Sequence, residues 1–508
     1  MEDYLLEESI DSNANELGQP GKEKHLNRSD GGKYVKNVPI RFRTTWARLA
    51  CLISVFIGSC LASGPVTSWP TFEPLLGKYG VLGSTQNKTS PALSEVYALG
   101  QGMMLVLGLP MGAIYDAAGP DKTAAIGGLT SALGLSLMAF CITRPSYHWW
   151  LYWAYPLTVG GGGLCSYCVL GFMWLIPKYQ TMIGSLLGAS YAVSDSLALV
   201  GVYLIANTST TLPLFFYGLA ALGGLSGVLC WAVSPSLKQN QHFYQVANFG
   251  SDADTGDAKG STAREIFLKM IDLIKDSRVV FLFRPTIMKL MQIVLILFYL
   301  AQMYPTLVMY NYFVVILGAN DATRLVDIFP VIYGTFGAVF SLSSGWVCDR
   351  IGLVRFVQWM VPVQIVVSVS VLLPYYSSQI VWLISSAVMG QSLIIMYMRF
   401  AARYAPFQLF GTFMGLMATL MALPQMFFGT SLQNLMKRIY SEANDPRRFT
   451  VMFGILNGLT TLSMFSLVYH WYYFPPPAAG SVLMEKSEDG KPTLKIVKLA
   501  SEKRNSTL

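Results

Sequence analysis

Apolar stretches of about twenty residues recur twelve times along this chain, near 46–68, 93–115, 122–143, 149–174, 181–206, 211–233, 286–314, 325–347, 354–374, 379–398, 409–433 and 449–472. Each is long enough to cross a hydrocarbon layer about 30 Å thick. Lipid offers backbone groups no outside partner, so segments of this kind are read as helices. Most of the polar intervals between them are short turns. Three are long and rich in charged residues: 1–45, 234–284 and 475–508. The pattern predicts an all-α membrane protein of twelve transmembrane helices, called spans one to twelve below. Spans one to six (46–233) form one bundle and spans seven to twelve (285–474) a second. The remainder is a disordered N-terminal tail (1–45), a linker (234–284) and a polar tail (475–508).

Composition agrees with this pattern. Of 508 residues, 53% are hydrophobic and 13% charged, against about a quarter charged in soluble domains. The net charge of +8 could suggest nucleic acid, but its placement speaks for a membrane. Lys33, Lys36, Arg41 and Arg43 precede the first span, Arg48 stands in its first turn, and more bases lie in the linker and the tail from Lys486 to Arg504. An even number of spans puts these on one side, with the short loops bearing Lys122, Lys178, Arg350, Arg355, Arg399 and Arg403. By the positive-inside rule that side, with both termini, is cytosolic. Loop 434–448, with Lys437, Arg438, Arg447 and Arg448, falls on the other side and disagrees; Glu442 and Asp445 offset it. The first span follows about 45 polar residues, so it is expected to act as an uncleaved anchor.

Within the linker, 251–262 has the Gly, Ser and Asp content of a flexible segment. Over 263–280, Ile266, Phe267, Met270, Ile271 and Ile274 share one helical face, which predicts an amphipathic helix along the membrane interface or an early start to span seven. All seven cysteines (51, 60, 141, 165, 168, 230 and 348) fall in or at the ends of spans, so no outer disulfide is expected. Cys165 and Cys168 form a C-x-x-C without nearby histidines and read as packing residues. Asn87-Lys88-Thr89 is a glycosylation sequon in the first outer loop; Asn207-Thr208-Ser209, closer to the membrane, is a weaker one.

The most informative local pattern occurs twice. Gly112-Ala-Ile-Tyr-Asp116-Ala-Ala-Gly119, followed by Lys122, lies between spans two and three. Gly345-Trp-Val-Cys-Asp349-Arg350-Ile-Gly352, followed by Arg355, lies 233 positions on, between spans eight and nine. Glycines allow close helix contact and tight reversal. An acid and a base at such a turn can bind neighbouring helix ends. A weaker echo pairs Pro177-Lys178-Tyr179 and Gly184 after span four with Ala402-Arg403-Tyr404 and Gly411 after span ten. The repeated G-x-x-x-D-x-x-G-x-x-[RK] resembles the signature loop of the major facilitator superfamily. That resemblance, over about 45–475, implies two pseudo-symmetric six-helix bundles rocking about a site near the bilayer midplane. It makes Gly112, Asp116, Gly119, Lys122, Gly345, Asp349, Arg350, Gly352 and Arg355 parts of a gate. Asp116 and Asp349 should accept hydrogen bonds from helix ends or pair with bases, holding one conformation closed. The first copy departs from the family pattern, because Pro120-Asp121 precedes Lys122 and the base has an acid beside it. The arginine-containing motif of proton-linked members has no counterpart in span four.

Transport calls for a pocket rather than bond chemistry, and polar residues deep in a membrane mark its candidates. Asp195 is the most central acid, in Ser190-Tyr191-Ala-Val-Ser194-Asp195-Ser196 of span five. It could meet a substrate ammonium, carry a coupling proton, tie two helices, or remain neutral. In span one, Ser63, Gly64-Pro65 and Thr67 interrupt an apolar run. Freed backbone groups at such a break can hold a zwitterion, and the same break can act as a pivot. Span seven offers Tyr299 and Gln302, with Gln292, Tyr304, Tyr310 and Asn311 beside them. Span ten offers Gln391 with Ser392, and span four Ser166 with Tyr167. Gly160 to Gly163 reads as tight helix packing, since no strand precedes the run and no lysine follows it.

The sequence from Gly64 to Leu76, with Trp69-Pro70 and the pair Leu75-Leu76, resembles the large-neutral amino-acid facilitators and the apicomplexan amino-acid transporters within that superfamily. The resemblance implies an amino-acid substrate, cationic like arginine or lysine if Asp195 faces the pocket, or large neutral and aromatic. A sugar carrier, using Gln302, Gln391 and Gln425, is the main rival. An organic-anion carrier lacks a deep base, because Lys289 and Arg399 lie near helix ends. A transporter-like nutrient sensor would need a binding module that the tails do not display. No metal cluster, nucleophile motif or catalytic acid pair points to an enzyme, and no cofactor is called for. The partners expected are a small-molecule substrate and the bilayer, in the plasma membrane, with the coupling ion left open.

Overall fold

The structure, a computed structural model, describes residues 42, 44–64, 69–83, 91–249, 263–275, 286–440, 445–474, 482–486 and 492–496. It divides into two compact units, Met1–Ser54 and Val55–Leu508. Packing is described below for the second.

Helices occupy all twelve apolar segments. Span one is Thr45–Ser63, with a further helix at Trp69–Lys78. Span two is a pair, Pro91–Val106 and Gly108–Ala118, bent by 42°. Span three is Pro120–Thr143, span four Leu151–Ser166 with a tighter 3₁₀ turn over Tyr167–Phe172, span five Gln180–Asn207 and span six Leu212–Val233. Linker helices follow at Leu237–Phe249 and Ala263–Lys275. The second of these covers the described part of the amphipathic segment, and 276–280 lies outside the described residues. In the second half come span seven (Thr286–Leu317), span eight (Ala319–Pro330, a π-helical stretch Val331–Phe336 and Gly337–Ile351) and span nine (Leu353–Ser370). Spans ten (Tyr376–Tyr404), eleven (Phe410–Ile439) and twelve (Arg447–Tyr473) complete the fold. Among the described residues nine helices are individually long and apolar enough to cross a membrane, or ten if the bent pair counts as one. In the C-terminal segment Val482–Lys486 pairs antiparallel with Pro492–Ile496.

Local chemistry explains the boundaries. Thr211 caps span six by accepting from the Leu214 N–H, with Pro213 in the first turn, where a missing donor does no harm. Gly119 and Gly352, at φ +92° and +81°, reverse the chain between spans two and three and between eight and nine, a conformation that a side chain would resist.

The glycine run of span four packs the first bundle. A methyl on Gly161 would lie 2.3 Å from the Ser131 nitrogen of span three, and one on Gly162 2.6 Å from the Ser63 Cα of span one. Ser131 Oγ then donates to the Ala62 carbonyl, 2.6 Å away. With no hydrophobic effect to drive helices together inside lipid, such backbone approach supplies the van der Waals contact that does. At one end of the bundle, Trp69, Phe72, Tyr155, Phe215 and Phe216 form a buried aromatic core.

Candidate functional site

The two signature loops lie on one face, and each reaches into the other bundle. Asp116, at the end of span two, sits over the start of span eleven. The Gly411 N–H donates to its Oδ1 at 2.9 Å; the Thr412 N–H and hydroxyl donate to Oδ2 at 2.6 and 2.8 Å. Asp349, at the end of span eight, accepts from the Thr181 and Met182 N–H groups of span five at 3.1 and 2.9 Å. Each acid thus caps the first turn of a helix in the opposite bundle. The first turn of a helix leaves its amides without intrahelical partners and carries partial positive charge, so a carboxylate is the matching group.

Glycines make this approach possible. A methyl on Gly112 would lie 1.8 Å from the Gly411 carbonyl oxygen, and one on Gly415 2.0 Å from the Gly108 carbonyl oxygen. At the related contact a methyl on Gly345 would meet Ser185 Oγ at 2.6 Å, and Ser341 Oγ donates to the Ser185 carbonyl at 2.7 Å.

The bases of the loops behave differently from the acids. The guanidinium of Arg350 stacks on the Trp346 ring of its own helix, 4.3 Å from the centroid, and Arg355 is exposed. Lys122 stands half-buried in the first turn of span three. In the copy where an acid, Asp121, stands beside the base, Asp116 makes three cross-bundle bonds, and in the other copy Asp349 makes two. Both acids bind two backbone amides, and Asp116 has the Thr412 hydroxyl in addition.

The same face carries two further contacts between the halves. Arg399 Nη1 donates to Gln180 Oε1 at 2.9 Å. Tyr244 of the linker stacks on Phe407 at 4.5 Å between centroids, and Trp174 meets Tyr244 edge-on at 4.8 Å. Burial pushes the Tyr244 hydroxyl up to about 12.

Midway along the helices lie most of the residues singled out as pocket candidates. Span one stops at Ser63, and Gly64 takes φ +60°; residues 65–68, Thr67 among them, lie outside the described residues, as does Asn87. Ser63 Oγ contacts Ser166 Oγ at 2.9 Å and donates to the Ser59 carbonyl at 2.7 Å, while Ser190 Oγ donates to Ser166 Oγ at 3.3 Å. Three candidate hydroxyls from spans one, four and five are therefore brought together. Tyr191 is half-buried, and its hydroxyl lies 3.3 Å from where a Gly163 methyl would stand. Asp195 falls in span five with its side chain outside the described set.

In the second bundle, Ser386 Oγ donates to Gln302 Oε1, and Tyr333 Oη donates to Ser386 Oγ at 2.6 Å. Tyr299 is buried one turn earlier in span seven. Gln391 is set apart from that group. Its Oε1 is buried without a hydrogen-bond partner and lies 2.8 Å from where a Gly188 methyl would stand, between spans five and ten. Ser386, Tyr333 and Thr412 escaped the sequence reading because single hydroxyls in apolar helices carry no pattern. Gly411 had surfaced only as half of the weaker echo. Among the described residues no group of three or more His, Cys, Asp or Glu could hold a metal ion.

Comparison with known proteins places this geometry. The family model of the major facilitator superfamily matches residues 96–429. No curated protein sequence matches the chain. Similar solved structures include a proton:xylose symporter bound to 6-bromo-6-deoxy-D-glucose (12% identity, 85% of this chain and 97% of that one, TM-score 0.58). A bacterial homologue of the iron transporter ferroportin in an outward-facing state is similar at 14% identity, 83% and 99% coverage and TM-score 0.56. FucP in the outward conformation is similar at 11%, 82% and 98%, with TM-score 0.51. At such identities the likeness is one of fold.

Proposed function

We propose, from the premise that the chain belongs to the major facilitator superfamily, that it moves amino acids across the plasma membrane by alternating access. The observation that carries the transport reading is the reciprocal capping by Asp116 and Asp349. Two helix ends held across two bundles form a closure that must break for the face to open. If bases mark the cytosolic side, this face and both termini are cytosolic. The conformation is then closed inward, in keeping with the outward-facing neighbours.

The amino-acid reading rests on the interruption of span one. A helix that ends at Ser63 and turns through Gly64 at φ +60° leaves last-turn carbonyls without intrahelical partners, and such a helix end can meet an ammonium group. The hydroxyl group of Ser63, Ser166 and Ser190 lies next to it. In this reading Gly64, Thr67, Tyr191, Asp195, Tyr299, Gln302 and Gln391 complete the pocket, and Asp195 faces the side-chain ammonium of a cationic substrate. A sugar is the second reading, favoured by the neutral set of Gln302, Ser386 and Tyr333, which suits a polyol.

Uptake of labelled arginine, tyrosine, leucine and glucose into oocytes expressing the chain separates these readings. Saturable arginine uptake is expected, with Asp195→Asn lowering it at least tenfold. That is about what one charge-assisted hydrogen bond contributes. Tyrosine or leucine uptake alone would assign Asp195 a structural place, and glucose uptake alone would replace the amino-acid reading with the sugar one.

A further inference from the structure

Span two is broken at a proline, and a hydroxyl from the other bundle occupies the break. Pro110 has no N–H to donate to the Val106 carbonyl four residues earlier, and the helix bends by 42° at Leu107. A proline in a helix interior is expected to leave that carbonyl free. Thr419 of span eleven supplies what is missing. Its hydroxyl donates to the Val106 carbonyl at 3.0 Å and to the Leu105 carbonyl at 3.3 Å, and accepts from the Leu109 N–H at 3.1 Å. Leu105 and Leu109 would be hydrogen-bond partners in an unbroken helix. One side chain therefore serves the backbone groups that the proline displaces.

These groups lie in an apolar span, where an unmet amide or carbonyl is expensive. The contact also joins the two bundles, a turn above the Gly108–Gly415 approach. When span eleven moves away from span two, the three bonds are lost together.

We propose that Thr419 is a positioning residue that stabilises the conformation closed on the motif face by filling the Pro110 break, and so sets the balance between the two transport states. The proposal rests on the alternating-access reading but not on the substrate. A related hydroxyl contact, Ser341 to the Ser185 carbonyl, stands where span eight meets span five. There the donor belongs to the π-interrupted helix itself, so span eight does not depend on its neighbour in the same way.

The test uses the full chain in lipid nanodiscs, with spin labels on Lys178→Cys and Gln408→Cys, exposed positions of opposite bundles on this face. Thr419→Val keeps the shape and removes the hydroxyl. It is expected to shift the closed-to-open ratio about tenfold toward open, while Thr419→Ser retains the wild-type distances. Pro110→Ala restores the missing N–H, so in that background Thr419→Val should move the ratio less than twofold. This dependence is what a merely structural role would not produce. If valine is not accommodated, Thr419→Ala serves the same cycle. An unchanged distance in Thr419→Val, or an equal shift with and without Pro110, overturns the proposal. Gly112→Ala is the control. If it moves the labels and Thr419→Val does not, the inference fails and alternating access stands; if neither moves them, both fall.

Discussion

Asp116→Ala is expected to open the face that carries the signature loops and to reduce transport by at least an order of magnitude. The carboxylate accepts three hydrogen bonds from Gly411 and Thr412. Bonds to a charged group are worth about 1.5–3 kcal/mol each. In the open state, however, water can reach both the acid and the helix end, so the net loss is smaller than the sum. A net loss of about 2–4 kcal/mol shifts the equilibrium roughly 30- to 1000-fold. Asp349→Ala removes two bonds and should shift it less, by about tenfold. Asp116→Asn keeps one acceptor but turns an NH₂ toward donors, and should fall near the alanine variant. Label distances across the face, together with the maximal uptake rate, check the order. Wild-type distances and uptake in Asp116→Ala would show that the capping does not hold the closure.

Gly112→Ala is expected to abolish transport, by more than about 100-fold, without unfolding the protein. Its added methyl would stand 1.8 Å from the Gly411 carbonyl oxygen and 2.4 Å from the carbonyl carbon. These are backbone atoms and cannot rotate away, so the two helices must separate by more than an ångström. That separation also breaks the Asp116 bonds, so closure fails twice over. Gly345→Ala meets Ser185 Oγ at 2.6 Å, which can rotate, but also Ser185 Cβ at 2.8 Å and the Met182 Cα at 2.9 Å, which cannot. These clashes are milder than at Gly112, so the variant should lose activity to a smaller extent. Uptake measured against surface expression and monodispersity distinguishes a protein trapped open from one that does not fold. Full uptake in Gly112→Ala would mean that closure at this point is looser than the packing implies.

The helices were legible in the sequence because the solvent is lipid. Twenty apolar residues in such a medium have one economical backbone conformation, and the twelve segments appear as helices close to their expected bounds. The tight packing of Gly160 to Gly163 was legible for a similar reason, since runs of small residues admit only close approach. The repeated loop singled out both acids, and its spacing placed them at helix ends. Which ends they cap was not legible. Gly411 and Thr412 lie about 295 residues from Asp116, and no local pattern links them. The acid beside the base of the first copy drew attention to side-chain charges, whereas the bonds Asp116 makes are to two backbone amides and a hydroxyl.

Local physics, acting over one helix at a time, thus settled the spans, the turns at Gly119 and Gly352 and the interruption at Gly64. Asp195 stood out in the sequence because an acid in an apolar run is rare, and its role is open to the uptake test. Only the tertiary structure decided that Thr419 meets the break at Pro110, that Ser63, Ser166 and Ser190 share one place, and that Gln391 stands apart from Gln302. Those pairings depend on how rigid helices dock against one another. A single threonine in an apolar helix gives no sign of its partner until the neighbouring backbone lies within 3 Å or so of it.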